Sequence, residues 1–304
     1  MLAVFLAAVA CGGPLPQIEA DGQQPSGQVA SPEAASLGKA GKQAEAAARK
    51  PAFTADGPVV ALGDSYTAGL LLPLDSSAEP PGCFRSTANY GSLVARALHA
   101  PAFADAACQS AGVADLNHPS ETTDGDNPPQ TNSLAPDDSL VMLTLGGDDL
   151  GFSHVLKGCM DPFGGPCQSV YSRRVPAQIS AEKPKMIAAL GEIHHKAPHA
   201  RVLLLGYPDL FPDRGACLPF TTANVAFLRS AELSLNAMLA EAAAASGTTY
   251  VDTYRSTTGH DMCQSAQVKD VEGLIPSSAA MSFHPNARGQ AAMADQVLAA
   301  LGLR

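Results

Sequence analysis

The stretch from Ser139 to Gly147, Ser-Leu-Val-Met-Leu-Thr-Leu-Gly-Gly, does most to limit what this chain can fold into. A strand with one wet face alternates apolar and polar residues. A run that is apolar at nearly every position belongs to a strand covered on both faces, the setting of a parallel sheet. Val59 to Gly63 and Ala200 to Gly206 have the same character, and Thr248 to Tyr254 reads as a last strand. Between and beyond them, Tyr90 to His99, Ala177 to Lys196, Thr222 to Ser246 and Asn286 to Leu301 carry helical apolar spacing, with Gly247 placed to end the third. Strands separated by helices predict an α/β fold: one domain over residues 52–304 in three layers, α/β/α, with a parallel sheet at its centre.

The chain before this domain has a different character. Leu2 to Ala10 is an apolar run ending in Ala8-Val9-Ala10-Cys11-Gly12. It looks like the end of a secretory signal followed by a lipoprotein box, whose cysteine is acylated after cleavage. Residues 1–11 are therefore read as a signal and lipobox remnant, with Cys11 as the lipidated residue and a membrane anchor as the partner it implies. No basic segment precedes the run, so the natural start is expected upstream of Met1. Such a run is too short to span a bilayer, which takes about 20 residues. Residues 12–51 are Ala, Gly, Gln, Ser and Pro with scattered charge. They cannot bury enough apolar surface to offset ordering entropy and read as a disordered tether. The expected location is exported, in the cell envelope or secreted.

A net charge of −10 and the lack of any Lys/Arg-dense stripe argue against nucleic acid as a partner, because nothing tracks a phosphate backbone. There are seven cysteines. None forms a Cys-x-x-Cys pair or lies at zinc-finger spacing. Setting Cys11 aside leaves six in the domain, an even number compatible with disulfides, although their pairing does not follow from count alone. His194, His195 and His199 cluster near a helix end and read as a solvated surface before a metal site. Asp124, Asp126 and Asn127 lack calcium-loop spacing. No metal and no cofactor is expected.

The chemistry is concentrated at two places. The first strand ends in Gly63-Asp64-Ser65-Tyr66-Thr67-Ala68-Gly69, which puts Ser65 at the carboxyl end of a parallel strand, where ligands bind in open sheets. Near the other end of the chain, Ser282-Phe283-His284-Pro285-Asn286 opens the last helix. Gly-Asp-Ser alone is a common turn and a lone His is usually structural. Together they suggest a nucleophile and a general base brought from distant loops. The surroundings of Ser65 are not the Gly-x-Ser-x-Gly elbow of α/β-hydrolases.

With these blocks the sequence resembles the SGNH (GDSL-type) hydrolase family, over most of residues 57–304, and most of all its secreted three-disulfide branch of esterases, lipases and phospholipases. Besides the Ser65 and His284 blocks, Gly146-Gly147-Asp148-Asp149-Leu150-Gly151-Phe152 matches the family's third block, and Gly206-Tyr207-Pro208 also fits. The resemblance implies a flavodoxin-like sheet order. It also implies the pairings Cys83–Cys108, Cys159–Cys167 and Cys217–Cys263, and an oxyanion hole formed by the Ser65 amide, a second-block Gly amide and a third-block Asn side chain.

Here the sequence departs from the pattern three times. The second block reads Cys108-Gln109-Ser110-Ala111-Gly112, so the Gly position falls on Ser110, with Gly112 as the alternative donor. The Asn position is Asp148, which as a carboxylate would repel an oxyanion, but held protonated by burial would donate to it. The acid expected three residues before the histidine is replaced by Met281, so a backbone carbonyl, that of Met281, is expected to orient the imidazole in a Ser–His dyad. Asp64 reads as a turn residue. The expected activity is hydrolysis of acyl esters, of lipids, phospholipids or O-acetylated glycans, by a monomer whose partner is its ester substrate. The alternatives are a catalytically silent, envelope-anchored binding protein or an acyltransferase on the same fold.

Overall fold

The apolar runs become the parallel strands β1 (Val59–Gly63), β5 (Leu140–Thr144), β6 (Arg201–Leu205) and β7 (Thr249–Val251) of a computed structural model that describes residues 53–160 and 167–304. A fifth parallel strand, β2 (Phe103–Asp105), completes a sheet of order β2-β1-β5-β6-β7. The strands β3 (Ser120–Glu121) and β4 (Asp126–Asn127) form a separate antiparallel pair. In chain order the helices are α1 (Ser65–Ala68), α2 (Tyr90–Ala97), α3 (Phe152–Cys159), α4 (Gln168–Tyr171), α5 (Arg174–Lys196), α6 (Thr222–Ser246), α7 (Thr253–Thr257) and α8 (Ala287–Ala300). The signal, Cys11 and tether assigned to residues 1–51 lie outside the described residues.

Successive residues of a strand face opposite ways, and here both faces are covered. On one side, Val59, Leu140, Met142, Leu203 and Leu205 share a core with Tyr90 and Val94 of α2 and Met293 and Val297 of α8. On the other, Val60, Leu62, Val141, Leu143, Val202 and Leu204 pack with Met186, Leu190 and Ile193 of α5 and Leu228, Leu235 and Leu239 of α6. This double burial is why the strands read as continuous apolar runs, and it gives the three-layer α/β/α arrangement.

The last strand is shorter than its sequence suggests. Asp252 ends it and caps α7 instead, its carboxylate accepting the Arg255 N–H at 3.0 Å. Gly247 closes α6 in the left-handed conformation, φ 73°, which a side chain would disfavour.

Three disulfides, Cys83–Cys108, Cys159–Cys167 and Cys217–Cys263, cross-link the loops in the order of the sequence. All five strands point the same way, so the loops after β1, β5 and β6 emerge along one edge. The chain passes from β1 outward to β2 and then to β5 on the opposite side of β1, so the strand order reverses at β1. Ligand sites form at such a reversal.

Candidate active site

Ser65 is fixed by the way β1 ends. Gly63 has φ 128°, and a Cβ there would lie 2.3 Å from the Thr144 carbonyl oxygen, so only glycine lets the chain turn this close to β5. Gln130 clamps the same peptide, accepting the Gly63 N–H at 2.6 Å and donating to its carbonyl at 2.9 Å. Asp64 then caps α1, its Oδ1 accepting the Tyr66 N–H at 2.9 Å. Ser65 is the first residue of that helix, where a backbone N–H has no intrahelical acceptor and is free to face a negative charge.

His284 approaches from the loop before α8, and its Nε2 lies 2.8 Å from Ser65 Oγ. Its Nδ1 lies 2.8 Å from the carbonyl oxygen of Ser282. A carbonyl only accepts, so Nδ1 carries the proton and Nε2 presents its lone pair to the serine hydroxyl. The orienting carbonyl is therefore that of Ser282, not the expected Met281. The Met281 oxygen instead accepts the His284 backbone N–H at 3.1 Å, closing a tight turn. The turn holds Phe283 at φ 65°, a strained conformation for a bulky residue. Burial outweighs the Ser282 hydrogen bond and lowers the imidazole to about 4, so it is neutral and basic at ordinary pH.

Tyr66 braces the histidine from the Ser65 side. Its hydroxyl donates to the Phe283 carbonyl at 2.6 Å, and its ring lies 4.8 Å from the imidazole and 4.9 Å, edge-on, from Tyr207. Tyr207 in turn accepts the Gly147 N–H at 2.7 Å and donates to Asp64 Oδ2. One chain of hydrogen bonds thus runs from the third block through Tyr207 to the residue before Ser65. Asp64 is engaged in this network as a cap and makes no bond to the imidazole.

Asp148 lies with Ser65 and His284 in the wall of one cavity of about 320 Å³. Burial, and next the nearby Asp115 carboxylate, raise its pKa to about 6. Its neighbour Asp149 points elsewhere and accepts the Val113 N–H at 3.0 Å. Ser110 and Gly112 are outside the cavity lining. The Cys108 N–H donates to the Gly63 carbonyl at 3.0 Å, so the second block does run beside the turn that carries Ser65. Ser110 there has φ 60°, a backbone region glycine enters freely. Gly112 does not serve as the alternative donor, because its N–H is bound to Asp115 Oδ2 at 2.8 Å.

Much of the remaining wall is apolar, with Phe152, Leu156, Met160, Leu210, Leu235 and Leu274, and Lys157 and Glu232 are charged-type residues among them. Elsewhere, His194 bonds the Thr248 hydroxyl at 3.0 Å, and no group of acidic, His or Cys residues suited to a metal occurs among the described residues. Tyr66 and Gln130 are supports of the site that the sequence does not announce. Tyr66 stands inside the recognised block, but only the fold reveals that its hydroxyl reaches a loop more than 200 residues away in sequence.

Residues 61–292 match the family described as GDSL-like Lipase/Acylhydrolase. The chain is 34% identical over 261 residues to Lipase 2 of Streptomyces coelicolor, covering 80% of this chain and 85% of that one. Among solved structures it is similar to phospholipase A1 from Streptomyces albidoflavus NA297, with TM-score 0.66 and 27% identity over 80% of this chain and 98% of that one. An extracellular lipase from Streptomyces rimosus gives the same TM-score of 0.66, identity of 27% and coverage of 80% and 98%.

Proposed function

The chain belongs to the GDSL-like lipase/acylhydrolase family and is a carboxylic ester hydrolase, and we propose that it acts through a Ser65–His284 dyad on esters of lipid acyl chains. The observation that carries this reading is the 2.8 Å approach of Ser65 Oγ to an imidazole whose tautomer a carbonyl fixes. That pair stands in the wall of a mainly apolar cavity.

In this mechanism His284 Nε2 takes the Ser65 proton as Oγ attacks the ester carbonyl, and the carbonyl π pair moves onto oxygen. The Ser65 N–H, the Ser110 N–H and protonated Asp148 donate to that oxyanion. Collapse expels the alcohol, which takes the proton from His284 and leaves an acyl-Ser65 ester. Water then gives a proton to His284 and attacks the acyl carbon, and a second collapse returns the proton to Ser65 and frees the acid.

A cavity of about 320 Å³ walled by Phe152, Leu156, Met160, Leu210 and Leu235 suits a hydrocarbon chain and is far larger than an acetyl group needs. Its character agrees with the lipase and phospholipase names of the similar proteins and disfavours O-acetylated glycans. The three disulfides fit an oxidising compartment, and export with Cys11 as a lipid anchor completes the proposal.

A chain-length series of p-nitrophenyl esters tests the reading. The expected result is kcat/KM rising from acetate to medium-length chains, with no turnover by Ser65→Ala. A preference for acetate, or turnover without Ser65, would overturn it.

A further inference from the structure

We propose that Glu272 is a positioning residue for His284, holding the loop that carries the histidine in the register the reaction needs. The proposal rests on the reading of Ser65 and His284 as nucleophile and base.

His284 lies in neither a strand nor a helix, and its Nδ1 is held by a carbonyl only two residues away in the same loop. Such a local bond orients the ring relative to the loop. It cannot place the loop relative to Ser65. In a full triad an acid helps from outside, but here Met281 stands where that acid is expected.

Glu272 is buried on the adjoining segment and is bound to the histidine's loop through both backbone and side chain. Its N–H donates to the His284 carbonyl at 2.9 Å, and its carbonyl accepts the Phe283 N–H at 2.9 Å. Its Oε1 accepts from Ser278 Oγ at 2.6 Å and Asn286 Nδ2 at 3.0 Å. Its Oε2 accepts from Lys269 Nζ at 2.7 Å and the Ser277 N–H at 2.7 Å. Asn286 also caps α8, its Oδ1 accepting the Arg288 and Gly289 N–H groups at 3.0 and 3.1 Å.

One carboxylate thus joins the segments before and after His284 to the helix that anchors them. The same loop supplies Leu274, Met281 and Ser282 to the cavity wall. Burial alone would raise this carboxyl, but the donors from Lys269, Ser278, Ser277 and Asn286 prevail and hold it at about 2, so it stays ionised. A buried ion pair is a poor way to stabilise a fold, since apolar replacements of similar size do as well or better. What it supplies is a single geometry, and the geometry it sets is that of the catalytic loop.

The test compares the full chain with Glu272→Gln and Ser278→Ala on p-nitrophenyl butyrate, measuring kcat, KM, the acid limb of kcat/KM and Tm. Asp64, Tyr66, Asp148, Lys157, Tyr207 and Glu232, the other titratable groups of the cavity wall, are untouched by either change. Misplacing a catalytic group by about 1 Å costs about 10²-fold. Glu272→Gln is therefore expected to lower kcat by that factor with KM nearly unchanged. It should also move the acid limb upward from near pH 4, as water reaches the loosened imidazole. Ser278→Ala, which removes one bond and no charge, should give a smaller loss of kcat at wild-type Tm.

Wild-type kcat and acid limb in folded Glu272→Gln would overturn the proposal. If that variant does not fold, wild-type kcat in Ser278→Ala overturns it. Turnover by Ser65→Ala is a separate failure, because it removes the nucleophile itself and the underlying reading with it.

Discussion

Replacing Asp148 by Asn should change the pH dependence of this enzyme far more than its maximum rate. Asp148 shares the cavity wall with Ser65 and His284, and burial followed by the Asp115 charge raises its pKa to about 6. In the proposed mechanism it donates to the oxyanion only while protonated, hence below about pH 6. His284 accepts the serine proton only while neutral, and burial places that limit at about 4. The two requirements give a bell-shaped kcat/KM with its maximum near pH 5, midway between the two values.

At pH 8, roughly two pH units above the Asp148 value, about one molecule in 10² keeps the donor, each unit being tenfold. The fall should level off at about 10²–10³, the worth of one oxyanion donor. An Asn amide donates at every pH, so the variant should lose the alkaline limb and at pH 8 exceed the wild type by about 10²-fold. The assay is kcat/KM on p-nitrophenyl butyrate, read at the isosbestic wavelength across the acid and alkaline ranges. Superimposable profiles, or a variant slower at every pH, would show that Asp148 is not a protonated oxyanion donor. Stability should follow the same linkage. A carboxyl whose pKa is higher in the folded than the unfolded state binds its proton more tightly when native, so this group favours folding least at high pH. Asp148→Asn should therefore raise Tm more at pH 8 than at pH 4.

Two other perturbations follow from the supports of the site. Tyr66→Phe removes the 2.6 Å bond to the Phe283 carbonyl and leaves a buried acceptor unpaired, a loss of about 1–3 kcal/mol. Because that carbonyl adjoins His284, kcat should fall with the drop in Tm, and an unchanged kcat would show that the hydroxyl does not brace the base. Replacing Cys217 and Cys263 by Ser opens a loop spanning 46 residues, for which chain entropy gives about 4 kcal/mol. A thermal melt should show the loss, and the same Tm with and without reductant in the wild type would contradict it.

What the sequence discloses depends on how local the cause is. Central strands and the helices α6 and α8 are visible because burial on both faces, or on one helical stripe, prints itself on consecutive residues. The strand β2 is three half-buried residues at the sheet edge and has no such print. Ser65 and His284 are legible because their turns demand glycine, proline and capping residues in fixed order. The sequence points to Met281 as the orienting carbonyl, because choosing Ser282 instead depends on a tight turn with Phe283 in a left-handed conformation that sequence does not announce. Gly112 looked able to donate because its competitor Asp115 is disclosed only by the fold. Glu272 and Gln130 act across the chain through buried side chains, and an isolated Glu or Gln in a sequence carries no mark of that.

In the proposed mechanism Ser65 is a nucleophile activated by His284 across 2.8 Å. Reaction of the folded protein with a fluorophosphonate, followed by peptide mass spectrometry, tests it most directly. One adduct per chain is expected, on the peptide containing Ser65, forming far more slowly in His284→Ala and absent in Ser65→Ala. Folded protein that stays unlabelled, or an adduct on any other residue, would contradict it.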